Sequence, residues 1–188
     1  MVMTWPRRSA DSQTRSLLAA ARAGEDSAVE QLLLPHEPTL RTVCRGMLGR
    51  KEDIEDALQE TYLRALRGLD SYRGEAQLRT WLVRIAVNVC SARLGKRREE
   101  ATFDEATSPR TAPSPERDVV RRALLNEALA TLSPQRRVVL LLKAEGWTLE
   151  EIGSAQGWSA ARVKVELFRA RTALEKWADK RAQEEAQV

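Results

Sequence analysis

The residue types with the most to offer chemically lie in one segment. Between Arg79 and Arg98 the chain carries six basic side chains, Arg79, Arg84, Arg93, Lys96, Arg97 and Arg98, and no acidic one, with Trp81 among them. A patch of this kind neutralises phosphates, and an indole beside cations can stack on an unpaired base. At 100° per residue Trp81 shares a face with Thr80, Arg84, Asn88 and Ser91, away from the core stripe Leu78, Leu82, Ile85 and Val89. The spacing predicts a Trp81 on the wrong side for packing; an indole tucked under a neighbouring loop is the competing reading.

A second segment has the opposite character. Asp53, Asp56, Glu60, Arg64 and Arg67 recur three or four apart, opposite an apolar stripe of Ile54, Leu58, Tyr62, Ala65, Leu66 and Leu69. The pattern alone is equally well explained by a solvated face with ion pairs. Covalent chemistry finds less support. Cys44 and Cys90 share no CxxC spacing and sit among aliphatic residues, which reads as two small buried hydrophobes in a reducing compartment. With His36 as the single histidine and nine scattered glycines, neither a zinc site nor a phosphate loop is present. The expectation is no catalytic group, no metal, no cofactor and no small-molecule substrate.

These segments need elements to position them. The chain has 188 residues, 43% hydrophobic and 31% charged, with a net charge of +4. That suits one ordinary domain or two small ones. The densest apolar stretch, Val138 to Leu142, is far too short for a membrane span, and Met1 to Ser9 lacks the apolar core of a secretory signal. The expectation is a cytoplasmic protein without membrane insertion. Helical periodicity runs almost throughout and no stretch alternates like a strand, so the predicted fold class is all-α. Between two periodic blocks, Glu99 to Glu116 holds Pro109, Pro113 and Pro115, and its charges are Glu99, Glu100, Asp104, Glu105 and Glu116 against Arg110 alone. Such composition predicts an acidic flexible linker, set at 99–117, between helical domains at 1–98 and 118–188.

In the first block, Asp11-Ser12 and Glu25-Asp26-Ser27 are plausible helix starts, Pro35 and Pro38 should interrupt the second helix, and a third starts at Lys51 or Glu52. The second block reads as a helix-turn-helix. Ser133-Pro134 opens a helix that Gly146 ends, Thr148 caps a short helix with Leu149 and Ile152, Gly153 permits close helix approach, and Gly157 makes the turn. Trp158, Val163, Leu167, Ala170 and Leu174 then close the core. The exposed arc from Ser159 holds Ala161, Arg162, Val165, Glu166, Phe168, Arg169 and Thr172, where a recognition helix places base and phosphate contacts. Glu166 there has two roles open to it, accepting from a cytosine amino group, which is favoured because a purely repulsive charge beside phosphates has no compensating gain, or pairing with Arg162 or Arg169.

Taken together these residues resemble the bacterial sigma factors of RNA polymerase, and more closely the extracytoplasmic-function subfamily. Asp53 to Glu60 (DIEDALQE) is similar to that family's core-binding helix, and Tyr72 to Asn88 (YRGEAQLRTWLVRIAVN) to its minus-ten segment. Leu132 to Arg137, Glu150 to Gly153 and Val163 to Arg171 resemble its minus-thirty-five domain. The family pattern is departed from at Gly153 and Gln156, where Ala and Leu are usual, at Arg162, where Thr is common, and at Glu166, where Arg is frequent.

The resemblance implies that Asp53, Asp56, Gln59 and Glu60 bind core RNA polymerase. It places Tyr72, Arg73, Gln77, Thr80, Trp81, Arg84 and Asn88 at the opened minus-ten element, with a flipped base pocketed by the loop Tyr72 to Gln77. Ser159, Arg162, Lys164, Val165, Glu166 and Arg169 would meet the minus-thirty-five duplex. Promoter DNA, core polymerase and an anti-sigma factor are the implied partners, in a stress or envelope response. The alternatives are a stand-alone helix-turn-helix regulator and a polymerase-binding decoy that never reads DNA.

Overall fold

The computed structural model describes residues 12–74, 76–101 and 116–186. Among them every regular element is helical. α1 (Ser12–Arg22) and α2 (Asp26–Leu33) form a hairpin around Gly24, whose φ of +89° suits glycine. Pro35 sits in a 3-10 turn, Leu34–His36, and Pro38 in the first turn of α3 (Glu37–Met47), so the prolines divide the predicted second helix in two. α4 (Lys51–Gly68) follows, then a 3-10 turn (Leu69–Ser71) and the long α5 (Leu78–Ala101). The second half contains α6 (Glu116–Ala130), α7 (Pro134–Ala144), α8 (Leu149–Gln156) and α9 (Ala160–Glu185). α5 and α6 thus run into both ends of the stretch set aside as linker, and its middle, 102–115, lies outside the described residues with Met1 to Asp11.

α3 packs against α4 and α5 on one side and against α7 on the other, while α5 also meets α8. One continuous core results: Leu40, Val43, Leu82 and Val83 from the first half join Val138, Leu142 and Ile152 from the second. Where α3 crosses α7 the approach is close: a Cβ on Gly46 would lie 2.9 Å from Leu141 Cδ1 and 3.3 Å from Val138 Cγ2, so a side chain there requires the Leu141 end to shift. The two halves therefore meet face to face.

That seam changes which positions are covered. Leu78, Leu82 and Val89 are buried and Ile85 half-buried, but Val83, Ala86, Val87 and Cys90 are buried as well. The narrow stripe becomes a broad arc because α5 has neighbours on more than one flank. On α4, Ile54, Leu58 and Ala65 are buried, as is Leu69 in the 3-10 turn that follows, and Tyr62 is half-buried, whereas Leu66, expected in the stripe, is 41% exposed beside Leu63. Ala57 and Thr61 take the inward places, Thr61 Oγ1 donating to the Ala57 carbonyl at 2.6 Å.

Candidate nucleic-acid and partner interfaces

The acidic side of α4 faces away from that core. Asp56 and Gln59 are exposed, and Asp53 and Glu60 half-buried. Arg93 Nη1 on α5 lies 3.5 Å from Asp56 Oδ2, and Arg64 Nε donates to Glu60 Oε1 at 2.6 Å. The Arg64 hydrogen bond holds the Glu60 carboxyl below its ordinary range, so it stays charged near neutrality. One turn earlier, Glu55 pairs with Arg41 of α3, which also holds Glu37 at 2.9 Å. Exposed ion pairs of this kind contribute little to stability, leaving the carboxylates free to change partners.

The loop before α5 is tightly held. Arg22, at the end of α1, donates Nε and Nη2 to the Leu69 carbonyl at 3.2 and 3.0 Å and Nη2 to that of Tyr72 at 2.6 Å. Tyr72 is buried, its hydroxyl donating to the Ala76 carbonyl at 2.5 Å and its ring 4.9 Å from that of Trp81, tilted by 40°. Burial pushes the Tyr72 phenol pKa up. Trp81 is half-buried against the core, and a Cβ on Gly68 would lie 3.0 Å from its Cζ2. The expectation of a Trp81 turned away from packing is thus corrected: the end of α4 and Tyr72 cover one side of the indole. Thr80 is also buried, because the start of α5 lies under α8, so neither Tyr72 nor Thr80 is a surface group here. Arg73, Arg84 and Asn88 are exposed and Gln77 is half-buried, its carbonyl accepting from the Thr80 and Trp81 amides at 3.0 and 3.1 Å.

The helix-turn-helix is built by local rules. Thr148 and Glu151 form a reciprocal capping box, at 3.1 and 2.9 Å, that satisfies two amides at the start of α8. Gly157 takes a φ of +70°, and the Trp158 amide returns to the Gly153 carbonyl at 2.8 Å. Ser159 caps α9 by accepting from the Arg162 amide at 3.2 Å. Beyond it Arg162, Lys164, Val165 and Arg169 are exposed, and Phe168 is 70% exposed. The Arg162 guanidinium lies 4.1 Å from the centre of the Trp158 ring, a cation–π contact that orients it. Glu166 differs from its neighbours: Arg136 Nε of α7 reaches its Oε2 at 2.6 Å and Arg169 Nη1 its Oε1 at 3.0 Å, leaving its side chain 13% exposed. Arg136, then burial opposing it, then Arg169 set its pKa, with a net lowering. Both carboxylate oxygens are occupied by arginines, so pairing is the role of Glu166 that this geometry supports.

The seam holds residues that no local pattern marked. Arg79 of α5 pairs with Glu151 of α8, and its guanidinium lies 4.6 Å from the centre of the Trp147 ring. Glu151 is thus cap and cross-half partner at once: burial alone would raise its pKa, but Thr148 and Arg79 bring it below the ordinary range. Thr39 donates to Glu145 Oε2 across the seam at 3.0 Å. The basic character of Arg79 and the capping-box spacing of Glu151 were legible, but their pairing spans 72 positions and has no local signal.

A helical, helix-turn-helix-bearing chain with an acidic outer helix beside a basic-aromatic one defines a class of transcription proteins, and comparison identifies which. The Sigma-70 region 2 model matches residues 32–100 and the Sigma-70 region 4 model residues 122–174. The chain belongs to the sigma-70 family, in its extracytoplasmic-function group. It is 34% identical over 162 residues to the extracytoplasmic-function sigma factor SigM of Mycobacterium tuberculosis, covering 84% of this chain and 81% of that protein. To SigG of the same species it is 33% identical, spanning half of that protein's length (50%) and 84% of its own. To CarQ of Myxococcus xanthus identity is 34%, over 77% of this chain and 86% of CarQ. Among solved structures, CnrH in complex with the cytosolic domain of CnrY superposes with a TM-score of 0.67 at 26% identity, covering 90% of this chain and 99% of that one. RpoE of Bartonella quintana, in complex with the anti-sigma factor NepR, gives 0.70 at 25% identity over 80% of this chain and 96% of that one. No described helix is long and apolar enough to cross a membrane.

Proposed function

We propose that this chain directs core RNA polymerase to two-part promoters in the cytoplasm, performing no covalent chemistry of its own. The observation that carries the reading is that both family regions are present in order, each with an exposed charged surface of the sign its task needs. Asp53, Asp56, Gln59 and Glu60 dock on a basic surface of the polymerase, where complementary charge speeds and orders encounter. Arg73, Gln77, Arg84 and Asn88 meet the opened minus-ten strand together with the uncovered side of Trp81; Thr80 reaches it only when the seam with α8 has parted, and Tyr72 only when the loop before α5 rearranges. Ser159, Arg162, Lys164, Val165 and Arg169 hold the minus-thirty-five duplex, with Glu166 setting the arginine positions. The working units are 1–98 and 118–188, joined through 99–117.

The seam supports a resting state in which Arg79 spends its charge on Glu151 rather than on phosphate. CnrH is bound to CnrY in its structure and the Bartonella RpoE to NepR, so an anti-sigma factor that favours the closed form is the partner expected here. Run-off transcription on genomic fragments with purified core polymerase tests the function directly. Specific transcripts that depend on this chain are the expected result, and none at all overturns the reading.

A further inference from the structure

Cys44 of α3 and Cys90 of α5 lie 46 positions apart in the chain, yet their sulfurs are 3.7 Å apart and both are fully buried. They are the chain's two cysteines, and nothing in the promoter-directing reading uses them. We propose that Cys44 and Cys90 are a redox-modification site, a dithiol that hydroperoxides oxidise to an intramolecular disulfide tying α3 to α5. The sulfurs face each other across packed helices, and the disulfide length of about 2.05 Å is reached by closing the present 3.7 Å separation. Cys90 donates its S–H toward Cys44, and that hydrogen bond, with Arg41 and Arg93 nearby, lowers the Cys44 thiol pKa despite its burial.

The reaction balances with a hydroperoxide as the oxidant. The Cys44 thiolate attacks the terminal peroxide oxygen, the O–O bond breaks, and the alkoxide leaves as alcohol after protonation. Cys90 gives up its proton and attacks the sulfenic sulfur of Cys44. The S–O bond breaks and hydroxide leaves as water. Two thiols thereby lose two electrons to one peroxide. Because both sulfurs are covered, the oxidant reaches them through local separation of α3 and α5, an opening that costs less than global unfolding. The cross-link bears on the rest of the molecule through Gly46, two residues beyond Cys44, where α3 comes close to Leu141 and Val138 of α7.

The test uses the reduced full-length chain under native conditions with cumene hydroperoxide. The expected result is loss of both thiols together, an intact mass lower by two hydrogens, and a Cys44–Cys90 cross-linked peptide that dithiothreitol removes. Cys90→Ala should give no such peptide and leave Cys44 as a sulfenic acid that dimedone labels. Thiol loss no faster than exchange of the slowest core amides would overturn the proposal, as would sulfinic acids or disulfide-linked dimers as the main products.

Discussion

Glu166 shows how one side chain can be placed where DNA is expected and yet be occupied by its own protein. Its two oxygens serve Arg136 and Arg169, so removing it releases two guanidinium groups beside the recognition surface. Glu166→Ala is expected to tighten binding of the full chain with polymerase to duplexes of any sequence and to make the salt slope more negative by about 0.9 for each phosphate newly contacted. Affinities measured across a salt series on duplexes varied at each minus-thirty-five position check this; weakening confined to one position would restore base reading by Glu166. The lowered Glu166 pKa has a stability consequence of definite sign. Its contribution is present above the unfolded carboxyl pKa, about 4.3, and is lost as pH falls through the lower folded value. Glu166→Gln should therefore flatten the acid limb of a plot of melting temperature against pH.

At the scale of an element, α4 separates packing from charge by face. Leu58 is buried beneath it, whereas Asp56 and Glu60 reach outward with replaceable arginine partners. Replacing both Asp56 and Glu60 with Lys is expected to abolish co-elution with core polymerase while circular dichroism stays helical, because charge is reversed and no core volume lost. Leu58→Ala inverts the pattern, costing roughly 2–5 kcal/mol of stability through the cavity it opens. Retained co-elution of the double Lys variant would remove α4 as the docking element. α8 offers a second contrast: Thr148→Ala breaks the capping box and should cost about 1 kcal/mol in thermal or urea unfolding.

For the whole molecule the decisive feature is the seam between halves. Gly46→Leu forces a side chain toward Leu141 and Val138, and the expected outcome is a larger radius of gyration in small-angle scattering with unchanged helicity. An unchanged radius would mean that Leu141, whose flexible end is the nearest atom, simply moves aside. His36 reports on the same region: burial first, then Arg79, lowers its pKa, so the folded state favours the neutral ring. The unfolded chain takes up its proton first, so stability should fall as pH drops through about 6.5 toward the lower folded value. His36→Gln should remove that part of the pH dependence, as melting curves between these limits would show.

Much of this molecule was legible in its residues because the signals were local. Proline placement at Pro35 and Pro38, the Thr148 cap, the φ of Gly157 and the heavy charge contrast between α4 and α5 depend on neighbours within a turn or two, and so the all-α class and the helix-turn-helix follow from the amino-acid order alone. Helical period also separates inward from outward faces, but it cannot count how many neighbours a helix will have. Only the tertiary structure decides that α5 is covered on several flanks, which buries Thr80 and half-covers Trp81, that Arg79 meets Glu151, that Arg136 captures Glu166, and that Cys44 touches Cys90. Each of these joins residues from different helices, and the distance between them is set by how apolar faces pack across the whole chain, a property that no window of local sequence contains.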